Sequence, residues 1–247
     1  MSFDQTNRIA SVTTPFGPGE VGLLGLEGTE TLSLLPSFEL QLISEKKSLD
    51  PKQILGQSVN VALNLGNDKQ RYFDGYAIQF GRATFRSRYF AYQATIVPWL
   101  WFLTRTTNCR IFQNKSVVDI FQKVCQDHGF DQIELRLKGN YTSWEYCVQY
   151  RETDFDFVSR LLEQEGICYF FKYDKGKQTM VLADSPSSHQ PFPGYEQIKL
   201  RRTHHVAASE DPDEIRDFAS EMNHLTGMFT QTDYDFEKPR SDLTSRS

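Results

Sequence analysis

The chain has 247 residues, a formal net charge of −5, 39% hydrophobic residues and 24% charged residues, which is the composition of an ordinary globular protein. Lysine and arginine are scattered rather than clustered, so the footprint of a nucleic-acid-binding protein is absent. The longest apolar run, Trp99–Leu103, is far shorter than a membrane span, and no apolar stretch near the N-terminus predicts a signal peptide. No stable membrane insertion is expected.

The first hundred residues are predicted to be rich in β-strands. Four strands are predicted from alternation or from β-branched and aromatic content, at residues 38–42, 59–65, 72–80 and 89–97. Residues 48–56 predict a loop or a short helical turn that starts near Pro51 and ends at Gly56, and residues 66–68 predict a turn. Several short strands at this spacing indicate a small barrel or sandwich.

Helices and strands alternate after about residue 100. One apolar stripe of helical period follows Ser116, which has capping-box-like spacing to Asp119, and this helix is predicted to stop near Gly129. A second helix is capped by Thr153 and ends at Gly166. Strands are predicted at 144–150 and, as a hairpin around the turn 174–176, at 167–173 and 178–183. This order predicts an α+β unit.

The last sixty residues start with a segment rich in Ser and Pro. Residues 185–195 predict a loop or linker. Beyond it, Asp211, Pro212 and Glu214 provide a capping residue, a proline at the first helical position and an early carboxylate. A helix is therefore expected to run from there to about His224.

Candidate reactive residues have simpler explanations. His204 and His205 would point to opposite faces of a strand, which does not favour joint metal coordination, and the acidic residues among 210–214 suit a helix start. Asp154 and Asp156 lie in the first turn of a predicted helix, where carboxylates favour the positive end of the helix dipole. Neither a nucleophile motif nor a phosphate-binding loop is present. No catalytic, cofactor-binding or metal-binding residue is predicted, and no cofactor is expected.

The four cysteines, at positions 109, 125, 147 and 168, contain no C-x-x-C pair. Reduced thiols are the expected state, and Cys147 and Cys168 are predicted to be small core residues because they fall in apolar strand patterns. The aromatic segment Pro98–Leu103 has two open interpretations, an ordinary core corner or a buried anchor between domains or subunits.

Nine short motifs follow one another from about residue 13 to residue 240. They are Thr14–Gly17, Leu55–Gln57, Arg71–Gly75, Pro98–Leu103, Arg110–Asn114, Cys147–Asp154, Phe157–Glu163, Gly166–Ile167 and Asp233–Pro239. In this order the series resembles the VgrG spike proteins of type VI secretion systems, which are related to phage baseplate-hub proteins. The resemblance extends over nearly the whole chain.

The resemblance implies an α+β, mainly β fold. Residues 1–100 are expected to form a small β-barrel of the phage tail-hub type, residues 101–185 an inserted α+β domain, and residues 186–247 a linker and the start of a second barrel. Members of this family continue into the rest of that barrel, an oligonucleotide-binding-like domain and a trimeric β-helical needle. The chain is therefore expected to be a truncated piece of a longer protein.

The resemblance also implies a structural hub without enzymatic activity in this region. The full-length protein is expected to form a homotrimer that caps the hexameric tube protein and helps deliver effectors into target cells. Spike-tip protein and effectors are expected to bind through the C-terminal part. Assembly in the cytoplasm and injection by the type VI machinery without a signal peptide are expected. A phage or phage-like tail baseplate hub is the alternative hypothesis, and a cell-wall hydrolase is a distant one.

Overall fold

The computed structural model describes residues 3–66, 69–83, 88–189, 197–200, 214–215, 218–224 and 226–246. The chain divides at residue 190 into two compact units, Met1–Gln190 and Pro191–Ser247. Both of the hydrophobic clusters that form the core belong to the first unit.

A curled, six-stranded antiparallel sheet forms the N-terminal half of the first unit. Its strands are β1 (Ala10–Thr13), β2 (Gly22–Thr29), β3 (Ser37–Ser44), β4 (Ser58–Gly66), β5 (Lys69–Ala83) and β6 (Phe90–Val97). Their order across the sheet is β1–β4–β5–β6–β3–β2, so β1 and β2 are the two edge strands. The four strands predicted between residues 38 and 97 are confirmed.

One face of the sheet is buried because apolar and polar residues alternate along its strands. In β3, the side chains of Phe38, Leu40 and Leu42 are at most 2% exposed, and the polar residues between them face outward. Val59 of β4 and Ile96 of β6 are fully buried in the same cluster.

The predicted helical turn between β3 and β4 is confirmed. Pro51–Gln53 form a single 3₁₀ turn, and the Asp50 carboxylate accepts a hydrogen bond from the Lys52 N–H at 3.0 Å. Gly56, where the turn was predicted to end, has a φ of +73°, a conformation that costs glycine little. The predicted turn at 66–68 includes residues 67 and 68, which lie outside the described residues.

The C-terminal half of the first unit is α+β, as predicted. Its elements are β7 (Thr107–Phe112), α1 (Val117–Asp127), β8 (Ile133–Arg136), β9 (Cys147–Thr153), α2 (Asp154–Gln164), β10 (Cys168–Asp174) and β11 (Lys177–Ala183), with 3₁₀ segments at Trp99–Arg105 and Pro186–Ser188. Strands β7 and β9 form an antiparallel two-stranded ribbon. Strands β10 and β11 form the predicted hairpin, and β8 adds to β11 in parallel.

Both predicted helix caps are present. The Ser116 hydroxyl accepts from the Asp119 N–H at 3.2 Å, and the Asp119 carboxylate accepts from the Ser116 N–H at 3.1 Å, which completes a capping box. Thr153 caps α2 by accepting from the Asp156 N–H at 3.0 Å. Each helix is followed within two residues by a glycine with positive φ, +80° at Gly129 and +68° at Gly166.

The two halves of the first unit meet around Tyr173 of β10. Its partly buried ring packs against the hydrophobic clusters of both halves. The ring centroid lies 5.8 Å from that of Phe38 in the sheet and 6.5 Å from that of Phe171 in the α+β half. A backbone hydrogen bond of 2.9 Å from the Ser33 N–H to the Tyr169 carbonyl ties the β2–β3 loop to β10. The hairpin therefore fixes the sheet to the α+β half.

The aromatic segment Pro98–Leu103 contributes to the same junction. Trp99 and Leu103 are buried in the cluster of the α+β half. Phe102 makes an edge-on contact with Tyr76 of β5 at a centroid distance of 5.4 Å. The segment is thus a core corner that also contacts the sheet. Because residues 1–190 form one compact unit, the boundaries at residues 100 and 185 stay a prediction.

The second unit contains only short strand pairs among its described residues. Strand β12 (Lys199–Leu200) pairs in parallel with β13 (Glu214–Ile215), and β14 (Thr230–Gln231) pairs antiparallel with β15 (Ser245–Arg246). Each of these strands is two residues long. The start of a second barrel in this region stays a prediction.

The helix predicted for residues 211–224 is wrong. Glu214–Ile215 form β13, residues 218–224 have no regular secondary structure, and the other positions of the predicted helix lie outside the described residues. Phe218 and Met222, which would share one helical face, are 76% and 97% exposed. Without an apolar surface to cover that face, a good capping sequence does not offset the entropic cost of nucleating a short helix.

Replacement of Tyr173 tests whether the junction stabilises the first unit. We expect Tyr173→Ala to lower the free energy of unfolding by about 3 kcal/mol, because it removes a ring that both clusters share. Tyr173→Phe is the matched control. The hydroxyl oxygen of Tyr173 is buried without a hydrogen-bond partner. Removal of this hydroxyl is therefore expected to leave the free energy of unfolding unchanged or slightly raised. Urea unfolding measures both variants, and equal losses in the two would contradict the account.

Candidate docking surface

A buried polar cluster surrounds Asp154, the first residue of α2. Its side chain is 1% exposed. The carboxylate oxygens lie 2.7 Å from a nitrogen of each of three partners, Arg110 on β7, Gln149 on β9 and His128 after α1. The Arg110 guanidinium also donates to the Gln149 amide oxygen at 2.9 Å. The cluster therefore ties together both helices and both strands of the ribbon.

The geometry assigns Asp154 a structural role. A carboxylate whose oxygens already face a guanidinium, an amide and an imidazole is not available to a substrate, and this charge is compensated inside the fold. The prediction that Asp154 and Asp156 lie in the first turn of a helix is confirmed, and Asp156 accepts from the Thr153 hydroxyl at 2.7 Å. The partners of Asp154 were missed because Arg110 and His128 are distant in sequence.

A second buried carboxyl, Asp74 of β5, lies on the face of the sheet opposite its neighbour Phe73, which belongs to the apolar core. It is 1% exposed, and one of its oxygens accepts a hydrogen bond of 2.6 Å from the Asn60 amide. Burial raises the pKa of Asp74 above its ordinary value. A carboxyl with a raised pKa is typical of catalytic sites only when it faces a cleft. Asp74 does not line the groove that runs beside β1 and β2.

The other candidate residues do not converge. His204 and His205 lie outside the described residues, as do 210–213. In the part of the chain that the structure describes, no group of three or more His, Cys, Asp or Glu side chains is placed to hold a metal ion. No helix of that part has the length and apolar character needed to cross a membrane.

All four cysteines are free thiols, and they differ in how far they are buried. Cys147 is buried, as predicted, whereas Cys168 is only partly buried and donates through its sulfur to the Ala183 carbonyl at 3.1 Å. Burial raises the thiol pKa of Cys125 and Cys147, which disfavours the reactive thiolate. Cys109 is exposed on the ribbon.

An open seam separates the two edge strands of the sheet. Strands β1 and β2 approach each other without pairing, and a groove of about 490 Å³ lies along them. Its lining is apolar, with Ile9, Leu24 and Leu26 among its residues, and Arg8 is the one charged residue. Unpaired edge strands with an apolar groove are surfaces to which another chain segment can add.

The N-terminal segment covers one end of this seam. The Gln5 side-chain oxygen accepts from the Val12 N–H at 2.9 Å, and its amide donates to the Val12 carbonyl at 3.0 Å. The same amide lies 3.4 Å from the carbonyl of Val21, the residue that precedes β2. Gln5 thus occupies hydrogen-bonding positions that a neighbouring strand would otherwise use.

The ribbon presents a second exposed apolar surface. On its outer face Ile111 lies opposite Val148, and Cys109 lies opposite Tyr150. The exposed fractions of Ile111, Val148 and Tyr150 are 58%, 36% and 64%. The opposite face carries Arg110 and Gln149, which bind Asp154, and the buried residues Phe112 and Cys147. Exposed apolar residues on the outer face are typical of a surface that another molecule covers.

The first unit therefore presents two surfaces suited to protein contacts, the unpaired edges of the sheet with their apolar groove and the exposed apolar face of the ribbon.

The comparisons with known proteins agree with this architecture. The family model described as phage tail baseplate hub (GPD) matches residues 29–247. The chain belongs to the phage tail baseplate hub family. Among its relatives, the type VI secretion system spike protein VgrG1c of Pseudomonas aeruginosa is 40% identical over 247 residues, which is 100% of this chain and 34% of the relative. The chain thus spans about a third of the length of the curated relatives it matches.

Solved structures show the same fold. The E. coli c3393 protein, described as a component of the type VI secretion system with similarity to the T4 tail proteins gp27 and gp5, superimposes with a TM-score of 0.65 at 27% identity. That match covers 77% of this chain and 52% of the other. A tail protein from Neisseria meningitidis shares the fold, with a TM-score of 0.54 at 13% identity over 92% of this chain and 61% of the other. The resemblance to VgrG proteins and the mainly β, tail-hub fold are confirmed.

Replacement of Asp154 tests its structural role. We expect Asp154→Ala to lower the free energy of unfolding by about 3 kcal/mol, because it removes the buried carboxylate that pairs with the Arg110 guanidinium and accepts from Gln149. Asp156→Ala, in the same helical turn but exposed, is the matched control and is expected to cost less than about 1 kcal/mol. Urea unfolding at neutral pH measures both. Full stability in Asp154→Ala would show that the cluster is dispensable to the fold.

Proposed function

We propose that the chain is the hub part of a type VI secretion spike, which works by assembly and not by catalysis. The observation that carries this proposal is the alignment with VgrG1c, at 40% identity over all 247 residues. The alignment covers 34% of that relative, so the role of the whole spike is inferred for this chain from similarity alone. The match to the E. coli type VI component supports the same proposal.

Absence of enzymatic activity in this region is part of the proposal. It is supported by the relatives, which are named as spike and hub proteins. It is also supported by the saturated contacts of Asp154. Cell-wall hydrolysis would need two carboxyls facing a shared cleft. Asp154 is enclosed by its partners, and Asp74 is buried and does not line the groove beside β1 and β2, so these two carboxyls give that hypothesis no support.

The full-length protein is proposed to be a homotrimer that caps the hexameric tube protein. Two similar barrels in each of three copies would place six similar barrels around one axis, which matches the symmetry of a sixfold ring. The six-stranded sheet would supply the first barrel of each copy, and its open seam and the apolar outer face of the ribbon are surfaces on which copies could meet.

Effector delivery belongs to the same proposal. The C-terminal part of the longer protein would bind the spike-tip protein and effectors, and the assembled spike would carry them into target cells. Assembly would take place in the cytoplasm, and the type VI machinery would inject the spike without a signal peptide. The name of VgrG1c as a secretion-system spike protein supports this route.

A phage or phage-like tail baseplate hub is the second candidate function. It is favoured by the family model, which is named for a phage tail hub. The neighbouring genes distinguish the two, since a secretion cluster encodes sheath, ATPase and membrane-complex proteins.

Binding to the tube protein tests the proposal. The full-length protein is immobilised, and the hexameric tube protein encoded beside it is passed over as assembled rings. We expect saturable binding with a stoichiometry of one spike trimer per ring, because the ring face and the pseudo-sixfold face match in symmetry. Tube protein kept monomeric by mutation is the control and is expected to bind more weakly. A full-length trimer with no affinity for the rings would contradict the proposal.

A further inference from the structure

The outer face of the ribbon carries a positive charge beside its exposed apolar side chains. Strand β9 contains a bulge at Arg151, which has no opposite residue on β7. A bulge turns a side chain away from the regular alternation of its strand. Arg151 is exposed, and its guanidinium carbon lies 5.1 Å from the centroid of the Tyr150 ring. Among the described residues no carboxylate forms an ion pair with it.

The backbone of Arg151 is strained. Its φ is +53°, in the left-handed region that a residue with a Cβ atom rarely adopts. A glycine would adopt this conformation without the strain, so the arginine side chain is presented here at a cost to the fold. Tyrosine and arginine are also among the residues that contribute most to binding at protein interfaces. A strained arginine beside the exposed Tyr150, Ile111 and Val148 therefore indicates a binding surface.

The tip of the β2–β3 hairpin, residues 27–39, is a second strained and exposed feature of the first unit. Within it, Ser33 has a φ of +58°. Two hydrogen bonds hold Ser33 against Tyr169 of β10, one from the Ser33 N–H to the Tyr169 carbonyl at 2.9 Å and one from the Tyr169 N–H to the Ser33 hydroxyl at 3.3 Å. On either side of this residue, Leu32 and Leu34 are 55% and 58% exposed. The hairpin tip therefore presents two apolar side chains from a backbone that is held in place.

The hairpin tip is also acidic. Residues 9–45 contain five glutamates and no lysine or arginine. Glu27 of β2 lies directly opposite Glu39 of β3, and both are exposed. Like charges that lie directly opposite each other destabilise a sheet. Among the described residues neither carboxylate forms an ion pair, and Glu39 accepts only from the Thr95 hydroxyl, at 2.9 Å. A cation from another molecule would relieve this repulsion.

We propose that the hairpin tip of one copy docks on the outer face of the ribbon of a second copy. The two exposed leucines would cover the apolar side chains of the ribbon, and Arg151 would face Glu27 and Glu39. This inference rests on the proposed function, because it names a contact by which copies associate. Both surfaces belong to the first compact unit, and they are different surfaces, so the contact is heterologous. Contacts of this type can close into a ring of three copies.

Cys109 reports on this contact, because its exposed thiol lies on the ribbon opposite Tyr150. The 247-residue chain at low concentration is mixed with an excess of a donor chain that carries Cys109→Ser, and alkylation of Cys109 is followed by mass spectrometry. We expect the donor to slow alkylation about tenfold, because a covered thiol reacts only when the contact opens. A donor that also carries Leu32→Ser and Leu34→Ser is expected to give no protection. Both leucines are exposed, so these changes leave the core of the donor intact.

The controls separate this contact from general stickiness. A donor with Leu55→Ser and Leu65→Ser loses two leucines that are exposed outside the hairpin tip, and it is expected to protect fully. Arg151→Glu in the reporting chain is expected to raise the donor concentration needed for half protection about tenfold, because it places like charges together. A donor with Glu27→Arg is expected to restore protection of that variant, which misfolding of either chain would not do. Each rate is divided by the rate without donor.

Three results would overturn the inference. One is an alkylation rate that excess donor does not change, and another is protection that persists when the donor lacks Leu32 and Leu34. The third is a Cys109 that is equally protected in the full-length protein at every concentration, which would show that the same chain covers the ribbon. If the full-length protein still forms trimers that bind the tube rings, the proposed function stands and copies associate through another surface. If it stays monomeric, the proposed function itself is contradicted, whatever the alkylation rates are.

Discussion

The packing of the Tyr173 ring joins the two halves of the first unit. The ring lies between Phe38 of the sheet and Phe171 of the α+β half, and it packs against both hydrophobic clusters. A half-closed sheet alone has two free edges and would be a poor platform for binding. Because the hairpin β10–β11 fixes it to the α+β half, the edges of the sheet are held in place by a core on one side. The open seam therefore belongs to a sheet that is packed against a second core.

The buried polar cluster around Asp154 connects the elements of the α+β half. Asp154 sits at the start of α2 and accepts from Arg110, Gln149 and His128, so one charge connects two helices and the ribbon. Apolar side chains on the edges and outer faces of the first unit, such as Ile111 and Leu24, are exposed. Exposed apolar surfaces of this kind are typical of sites of protein contact.

The sequence predicts most local structure and little of what joins it. Two-residue alternation located β3 and β4, β-branched and aromatic content located β6, and the spacing from Ser116 to Asp119 located the start of α1, because these signals are local. The glycine-rich β2 and the four-residue β1 were missed, since neither has a clear period. The prediction of a helix at 211–224 was wrong because a capping signal does not provide a surface against which a helix can pack. The partners of Asp154 lie up to 44 residues away, and no local pattern reveals them. The hub function came from the resemblance and not from periodicity.

The mass of the full-length protein in solution tests the central claim, that this chain functions by assembling with copies of itself. Sedimentation equilibrium or mass photometry of the purified protein, free of tube and effector proteins, gives the number of copies. The account predicts three copies at concentrations where the folded state is retained, because three copies with two barrels each match the symmetry of a sixfold ring. A stable monomer, or a dimer that does not grow with concentration, would contradict it.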